Sequence, residues 1–370
     1  MILSFLILFG FQNNVKNKLY SFSSHLQITK YTLSHSPEEI PISTNISFYK
    51  DYEKYGMIDH VQQYAYKAGL LRTEDEILGV LLKGVDKEFD TGRFKENMVK
   101  GSFIEFDSTG GYSKQVMISQ TIADKLFLDV GDRITVHFFQ NPPRARKLEV
   151  TGIYQTNLAE YFDDKVIIGD IGLIRRLNNW PDSLAGGLEV FLNDAKHMDE
   201  AENLLDATLG FDLYVEKISE KFVQVFEWLF LIHRQVNLFL MIILSVVCFN
   251  MISILLILIL ERTQMIGMLK ALGSTDKFIR SVFNNMGRQL IFKGLIIGNS
   301  LAMGLGAIQH YFKVIPLNPK DYYISYVPIS WNWDVIIGLN LLTVVVVSII
   351  MAIPTLLISR IQPIRAIRFD

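Results

Sequence analysis

The sequence predicts an α+β membrane protein. A large mixed α/β domain outside the cytoplasm is expected to be inserted between transmembrane helices 1 and 2 of a four-helix membrane domain. Two observations support this: residues 12–225 have an ordinary polar composition, whereas the chain from about residue 226 onward is dominated by long apolar runs. The apolar start, residues 1–11, is too short to span a bilayer alone, so we expect it to be the outer end of a truncated first helix. The alternative is a re-entrant or interfacial segment.

Two apolar runs predict membrane helices. The run 236–260 contains no charged residue, and the run 335–357 contains none either, with Pro354 near its end. At a rise of about 1.5 Å per residue, each run is long enough to cross a hydrocarbon core of roughly 30 Å. Proline is tolerated near the end of a membrane helix, so both spans are predicted.

A third, weaker span is expected at 290–312. Its small residues recur at every fourth position, at Gly294, Gly298, Ala302 and Gly306. Such a ridge lets another helix approach closely, which predicts a helix-packing face. The alternative is a lipid-facing helix that is rich in glycine.

Positive charges set the expected orientation. The connection 261–289 carries Arg262, Lys270, Lys277, Arg280 and Arg288, and the tail carries Arg360, Arg365 and Arg368, whereas the connection 313–334 carries only Lys313 and Lys320. The positive-inside rule therefore places 261–289 and the tail in the cytoplasm. The membrane is expected to be the bacterial inner membrane. The large polar domain then lies on its outer side, in the periplasm if the cell has two membranes.

The predicted boundaries follow from these patterns. They are a truncated first helix at 1–11, a periplasmic domain at 12–225, an extended second helix at 226–260, a cytoplasmic connection at 261–289, a third helix at 290–312, a periplasmic loop at 313–334, a fourth helix at 335–357 and a cytoplasmic tail at 358–370. Strands are expected in the periplasmic domain at 115–119, 133–139, 147–154 and 165–170, and helices at 119–126 and 194–207.

The connection after the second helix contains an amphipathic pattern. At 100° per residue, Met265, Ile266, Met268, Leu269 and Leu272 fall on one side of a short helix. Gly273 is placed to end that helix, and Ser274 or Thr275 can cap the next one. The apolar face predicts contact either with the bilayer surface or with a groove on a soluble partner, and the spacing serves both.

The sequence contains none of the common catalytic motifs. It has no G-x-x-x-x-G-K-(S/T), H-E-x-x-H, C-x-x-C or G-x-S-x-G, and its seven histidines are scattered. No catalytic residue, metal site or cofactor is predicted in this chain. The net charge of −2 gives no indication of nucleic-acid binding.

The stretch ERTQMIGMLKALGST at 261–275 resembles the signature of the FtsX-like permease domain. The chain is most similar to the lipoprotein-releasing, Lol-type branch of the ABC transporters that includes the MacB permeases. The tail RIQPIRAIRFD, with Pro363 and Ala366, resembles the closing pattern of that family. NPKDYYISYVPISW at 318–331, VMISQTIADKLFLDVGDRITV and LEVTGIYQTNLAEYFDDKVIIG resemble its external segments.

The resemblance implies a MacB-type periplasmic core and a helix that couples the permease to a cytoplasmic ABC ATPase dimer. The implied coupling residues are Glu261, Arg262, Met265, Ile266, Gly267, Met268, Leu269, Lys270, Ala271, Leu272 and Gly273. ATP and Mg would bind the partner ATPase, so this chain is not expected to be an enzyme. The other implied partners are a second permease subunit, a lipoprotein substrate, a periplasmic lipoprotein carrier and membrane lipids.

Two further contact sets are expected. The proline-stiffened segment 140–147, with Pro142, Pro143, Arg144 and Arg146, lies where the family can form a carrier-gripping hook; the alternative is a solvated hairpin tip. Apolar residues in the outer half of the second span could contact lipid or substrate, although simple packing is the alternative. They are Leu238, Leu240, Met241, Ile243 and Leu244.

The expected function is extraction of lipoproteins from the inner membrane for transfer to a periplasmic carrier, driven by a separate ATPase. One alternative is an FtsX-like subunit that transmits movement to activate a cell-wall hydrolase. Another is MacB-like export of small molecules or peptides.

Overall fold

The computed structural model describes residues 1–32, 36, 38–73, 76–106 and 111–356. The chain divides into two compact units. The helical unit comprises Met1–Asn13, Glu227–Pro316 and the chain from Tyr326 onward, and the sheet unit comprises Asn14–Phe226 and Leu317–Ser325. The predictions for the tail, which name Arg360, Pro363, Arg365, Ala366 and Arg368, lie outside the described residues.

The secondary structure alternates in the sheet unit and is helical in the helical unit. The strands are β1 (Leu26–Lys30), β2 (Ile42–Ser43), β3 (Ile58–Arg72), β4 (Ile77–Val85), β5 (Met98–Gly101), β6 (Gln115–Ser119), β7 (Arg133–Phe138), β8 (Arg144–Tyr154), β9 (Val166–Asp170), β10 (Leu184–Ala185), β11 (Gly187–Leu192) and β12 (Leu213–Lys217). The helices are α1 (Ile2–Ser23), α2 (Ser47–Lys50), α3 (Thr91–Phe94), α4 (Gln120–Leu126), α5 (Ile171–Asn178), α6 (Met198–Thr208), α7 (Ile218–Lys221), α8 (Val223–Glu261), α9 (Thr263–Ala271), α10 (Asp276–Phe312), α11 (Pro319–Tyr322) and α12 (Trp333–Thr355).

One sheet organises the sheet unit. Its strand order is β12-β1-β11-β3-β4-β9-β6-β8-β5, and β7 pairs with both β3 and β8. The strands β3, β4, β9, β6, β8 and β7 therefore form a closed ring, and β11, β1 and β12 extend from β3. The pairs β4–β9 and β6–β8 are parallel, and the other pairs in this sheet are antiparallel.

Two apolar cores follow from this topology. In the first, alternate side chains of the ring strands, such as Val136 and Val150, pack with Ile122 of α4 and Ile174 of α5. In the second, β1, β11 and β12 pack against α6 through residues such as Leu205. Side chains on one face of a strand recur at every second residue, so each strand supplies an apolar row to its core.

The strand β3 changes partner along one edge. Residues up to Tyr64 pair with β11, and pairing with β7 begins at Gly69. Two backbone N–H groups in the interval donate to carboxylates instead: Tyr66 N to Glu39 Oε2 and Ala68 N to Glu38 Oε1, both at 3.0 Å. Unpaired backbone groups are costly when they are removed from water, so these two side chains complete the sheet edge.

Most predicted elements of the sheet unit are present, with shifted ends. The strand predicted at 115–119 is β6, and those predicted at 133–139 and 165–170 are β7 and β9. The helix predicted at 119–126 is α4, with Ser119 as its N-cap. The strand predicted at 147–154 begins earlier, at Arg144, and the helix predicted from 194 begins as an α-helix at Met198.

Helix α1 runs to Ser23, well beyond the predicted end at residue 11. Residues 12–23 contain no apolar run, so their sequence gave little reason to extend the helix. Val15 and Leu19 are nevertheless fully buried, one turn apart on the same face of the helix. Tertiary packing therefore stabilises the helical conformation of this polar segment.

Three helices of the helical unit, α8, α10 and α12, are long and apolar enough to cross a membrane by length and composition. Helix α8 runs from Val223 to Glu261, close to the extended second helix predicted at 226–260. Helix α10 begins at Asp276, so much of the predicted cytoplasmic connection 261–289 is helical. Helix α12 ends at Thr355, within the predicted span.

The predicted small-residue ridge on α10 is only partly packed. At Gly306 an added Cβ would lie 3.3 Å from the Trp331 ring, so this position is in close contact. At Gly294 and Gly298 an added Cβ would meet no described atom within 4 Å apart from the helix itself. These glycines line an apolar cavity of about 370 Å³ together with Ala302 and Ile243. The predicted close packing is therefore wrong for Gly294 and Gly298 within this chain.

An amide pair joins two of the membrane helices. Asn299 Nδ2 on α10 donates to Asn340 Oδ1 on α12 at 3.1 Å. Asn340 Nδ2 lies 3.4 Å from Asn299 Oδ1 and donates to Ile336 O at 2.9 Å. Side-chain hydrogen bonds between membrane helices contribute modestly to stability, and they fix the register of the two helices.

Replacing Asn299 or Asn340 by leucine should lower the free energy of unfolding by about 0.6–2 kcal/mol, because the interhelical hydrogen bonds are lost. Thermal unfolding of the purified full chain in detergent measures the effect. The double variant should be little worse than either single variant, because both remove the same bond. Asn250 is an exposed asparagine on α8, so Asn250→Leu is the matched control and should not destabilise. Equal stability of wild type and all four variants would contradict the assignment.

Glu39 should make stability depend on pH. Burial raises its pKa from 4.5 to about 7, although the Lys221 ammonium opposes the shift. The folded state therefore binds this proton more tightly than the unfolded state, so stability should fall as pH rises from about 5 through 7. Glu39→Gln keeps an acceptor for Tyr66 N–H and removes the titration. Its melting temperature in detergent should fall less than that of wild type over this range.

The control for that measurement is Glu38→Gln, which changes the neighbouring carboxylate of the same sheet edge and leaves Glu39 in place. It should retain the wild-type pH slope, whatever its effect on absolute stability. Parallel pH profiles for wild type and Glu39→Gln would show that the slope has another source.

Candidate functional site

The candidate site is the short helix α9 between two membrane helices. Helix α8 ends at Glu261, where the Thr263 hydroxyl donates to Leu260 O at 2.7 Å. Gly273 has a φ of +88°, a left-handed conformation that glycine adopts without steric cost. Thr275 then caps α10 by accepting a hydrogen bond from Phe278 N at 3.4 Å. The helix, turn and second helix that the sequence predicted are confirmed.

The inner face of α9 packs against both flanking helices. Ile266 is fully buried with Ile259 of α8 and with Ile279 and Phe283 of α10, and Leu269 packs against the same cluster. A nine-residue helix is marginal in water on its own, so this contact is what holds it in place.

An ion pair closes the turn after α9. Lys270 Nζ lies 2.9 Å from Asp276 Oδ1, and the lysine side chain is 10% exposed. The pair joins the last turn of α9 to the first turn of α10, across Gly273. Asp276 also lies where a negative charge favours a helix N-terminus. The pair therefore fixes the angle between the two helices.

The outer face of α9 carries exposed apolar side chains. Met265, Met268 and Leu272 are 37%, 55% and 84% exposed, respectively. The single apolar face expected from the sequence is therefore divided, because Ile266 and Leu269 point inward. Lys270 and Gly267 are also turned away from the outer surface, and Lys270 has an internal partner. Only part of the implied coupling set is placed to contact another protein.

The residues expected to contact lipid or substrate on α8 divide in the same way. Leu240 packs with Phe5, Leu8 and Leu339, and Leu244 packs in a second cluster with Cys248. These two are packing residues. Leu238, Met241 and Ile243 are exposed, and Ile243 lines the cavity beside Gly294.

The basic segment 140–147 is a turn up to Pro143 and strand from Arg144 onward. Arg144 and Arg146 belong to β8, where they pair with Phe138 and Val136 of β7 and so lie on the face of these core residues. The Arg144 guanidinium donates to Arg176 O at 3.1 Å and to Leu177 O at 3.2 Å, at the carboxyl end of α5. The alternative of a solvated hairpin tip is wrong for Arg144, and its contact with a carrier stays a prediction. Pro142 and Pro143 remain exposed in the connecting turn.

The opposite face of these strands carries exposed cations. Arg133 of β7 and Lys147 of β8 both lie on this face. Arg133 pairs with Glu149 and Lys147 pairs with Thr135, so the two cations occupy neighbouring cross-strand pairs. Arg72 of β3 pairs with Thr135 from the other side. Arg72, Arg133 and His137 line a concave surface of about 580 Å³. Sequence reasoning missed this face because its cations come from three separate strands.

Comparisons with known proteins match two regions of the chain to two families. Residues 237–363 match the FtsX-like permease C-terminal family, and residues 1–208, more than half of the chain, match the MacB-like periplasmic core domain family. The chain belongs to the MacB-like periplasmic core domain family. As a member of this family with an FtsX-like permease region, it is a multi-pass inner-membrane protein whose sheet unit is periplasmic.

Several relatives extend along most of the chain. The lipoprotein-releasing system transmembrane protein LolC of Xylella fastidiosa (strain 9a5c) is 19% identical over 387 residues, which cover 100% of this chain and 90% of the relative. The lipoprotein-releasing system transmembrane protein LolE of Haemophilus influenzae is 22% identical over 345 residues, covering 88% and 80%. LolC of Neisseria meningitidis serogroup B is 23% identical over 332 residues, covering 83% and 77%.

Similarity to solved structures is more distant and covers about half of the chain. The periplasmic region of MacB from Actinobacillus actinomycetemcomitans has a TM-score of 0.38 and 14% identity, and the match covers 55% of this chain and 92% of that one. The extracellular domain of the noncanonic ABC-type transporter YknZ from Gram-positive bacteria has a TM-score of 0.34 and 13% identity, covering 52% and 99%.

Proposed function

We propose that the protein is the permease subunit of an ABC transporter that extracts lipoproteins from the inner membrane and passes them to a periplasmic carrier. Relatives that match most of the chain are named as transmembrane proteins of lipoprotein-releasing systems. In this proposal α1 belongs to the first of four membrane helices, and the sheet unit is inserted between the first and the second. A second permease subunit, identical or related, completes the membrane part.

The energy would come from a separate cytoplasmic ATPase dimer, which binds ATP and Mg. The observation that carries this proposal is the outer face of α9, where Met265, Met268 and Leu272 are exposed on a helix that is anchored from behind. An amphipathic helix of this kind suits a groove on a partner protein. Because the Lys270–Asp276 ion pair joins α9 to α10, a displacement of α9 by the ATPase would also displace α10.

Substrate contact is proposed for the exposed residues of the outer half of α8. Leu238, Met241 and Ile243 present apolar surface that acyl chains of a lipoprotein can contact. Transfer of such chains between apolar environments costs little, so this contact suits a substrate that must be bound and then released.

Carrier contact is proposed for the cationic face formed by Arg72, Arg133 and Lys147, next to the turn with Pro142 and Pro143. Glu149 lies on the same face opposite Arg133, and Asp132 borders it, but positive charge is in excess. Such an excess steers an acidic partner and raises its rate of association. The face lies on the ring strands, whose other side is the apolar core, so its side chains are held on a rigid support.

Placing a charge on the outer face of α9 should separate the ATPase from the permease. Met268→Asp combined with Leu272→Asp should lower the ATPase recovered with the tagged protein from mild detergent by about tenfold or more, because the buried centre of an interface dominates its affinity. Ile77→Asp puts the same change on an exposed residue of the sheet unit and serves as the matched control. Leu269→Asp is unsuitable, because it places a charge in the anchoring cluster.

Equal ATPase recovery from all three proteins would show that α9 lies on the bilayer surface instead. The transport activity itself is tested in proteoliposomes that contain the permease, its ATPase and a labelled lipoprotein. ATP-dependent transfer of the lipoprotein to a soluble carrier is the expected result. No transfer by the wild-type complex would refute the proposed function.

Reversing two charges on the cationic face should weaken carrier binding. Arg133→Glu combined with Lys147→Glu should lower the association rate by about tenfold at low salt, with a smaller effect at high salt, because the steering field is reversed. Surface plasmon resonance with the immobilised permease measures both rates. Lys125→Glu reverses an exposed charge on α4 and should leave binding unchanged. Unaltered binding by the double variant would remove this face from the proposal.

A further inference from the structure

Two charged side chains are buried in apolar strands of the sheet unit. Lys83 lies on β4 and Glu189 on β11, and their side chains are 1% and 0% exposed. Lys83 Nζ lies 2.6 Å from Glu189 Oε1, and Gln62 Nε2 of β3 donates to Glu189 Oε2 at 2.7 Å. Burial lowers the pKa of Lys83, and the Glu189 carboxylate opposes the shift. The pair therefore crosses one face of β3, joining its two neighbouring strands.

This pair also holds the carboxyl end of α1. Lys83 Nζ donates to Phe22 O, and it lies 4.8 Å from the centroid of the Phe22 ring. A cation at a helix C-terminus is favoured by the helix dipole and by the free carbonyl groups there. Ser24 then ends the helix with a φ of +65°. Helix α1 thus ends directly on the buried ammonium group.

Gln27 connects the same cluster to the segment that leads into α8. Its Nε2 donates to Ser23 O at 3.3 Å and lies 3.4 Å from Glu189 Oε1. Its Oε1 accepts a hydrogen bond from Lys221 Nζ at 2.6 Å. Lys221 is the last residue of α7, two residues before α8 begins. One buried amide therefore touches the end of α1, the buried ion pair and the approach to α8.

The position of this cluster along the chain is notable because the chain passes between the two units inside α1 and inside α8. A buried ion pair contributes little net stability compared with well-packed apolar residues, since both charges must be removed from water. Directional hydrogen bonds do, however, fix one geometry, and five polar side chains converge here. The cluster is thus better suited to positioning than to stabilising.

We propose that Lys83, Glu189 and Gln27 are positioning residues for transport: they lock the end of α1 and the 218–221 segment to one point of the sheet, so that the two move as one body. This inference rests on the proposed function, because it assigns to the lock the task of passing movement between the membrane helices and the periplasmic domain. A local lock of this kind is a physical link between two elements, which coupling between distant sites requires.

The test uses two lock variants and a matched control. Gln27→Met removes the central amide while keeping the length of the side chain. Lys83→Met combined with Glu189→Leu removes the pair without leaving one charge unpaired, which would endanger folding. The control, Lys67→Met combined with Glu38→Gln, removes an ion pair of 2.7 Å in the same unit. The hydrogen bonds of that control pair join β3 to residue 38 and involve neither α1 nor Lys221.

The first readout does not depend on transport. Spin labels at Asn17 and Val223, two exposed positions of the sheet unit, report the distance between α1 and the start of α8 in the full chain, with Cys248→Ala to prevent labelling elsewhere. The distance distribution should be narrow in wild type and in the control, and it should broaden in both lock variants. A narrow distribution in the lock variants would overturn the lock.

The second readout is lipoprotein released per ATP hydrolysed in proteoliposomes. The lipoprotein released per ATP hydrolysed should fall about tenfold in both lock variants, and in the control it should match wild type. Wild-type release by lock variants whose distance distribution has broadened would overturn the positioning role. If the wild-type complex releases no lipoprotein, the proposed function fails, and the distance measurement still decides whether the lock exists.

Discussion

The fold of the sheet unit depends on one long strand, β3. It is a member of the closed ring through β4 and β7, and it carries the outer strands β11, β1 and β12 on the remaining length of one edge. A strand has only two edges, so it can serve three neighbours only by changing partner along its length. The interval where the partners change has no strand to accept its N–H groups, and the carboxylates of Glu38 and Glu39 take that place. Both apolar cores include residues of this strand, and the buried polar cluster around Lys83 and Glu189 crosses one of its faces.

In the helical unit, different residues of the same helix pack against the chain and face outward. Helix α9 is too short to be stable alone, so its inner residues are committed to packing and only its outer residues remain for a partner. The ion pair between Lys270 and Asp276 belongs to the support and not to the contact surface. The same separation recurs on α8, where Leu240 and Leu244 hold the bundle together while Leu238 and Met241 face outward. In both helices, apolar residues that are close in the sequence differ in role: some pack inside the chain and others are exposed.

The sequence predicted those features whose signal is local. The runs without charge located α8 and α12, and the pattern from Met265 to Gly273 located α9 and its end, because run length and periodicity are properties of a single segment. Residues 12–23 of α1 were not predicted to be helical, because the burial of Val15 and Leu19 depends on tertiary packing and not on a local pattern.

Pairing across the sheet was missed for the same reason. Strand register places Arg144 toward α5, and neither residue of the Lys83–Glu189 pair indicates the other, more than a hundred residues away. The available signal was a single charge inside each of two apolar strands, ILGVLLKGV and GLEVFL. Such a charge predicts a partner, because an unpaired buried charge is costly, but it does not predict which residue the partner is.

The exposed side of α9 also has a consequence for how the protein must be made. Leu272 and Met268 present apolar surface on the side of α9 that faces away from the anchoring residues Ile266 and Leu269. If α9 binds the proposed ATPase, a copy made without that ATPase keeps this surface exposed, and exposed apolar patches favour aggregation and degradation. Under the proposed function, this surface is covered when the cytoplasmic ATPase dimer binds α9, so the permease and its ATPase would have to be made in matching amounts.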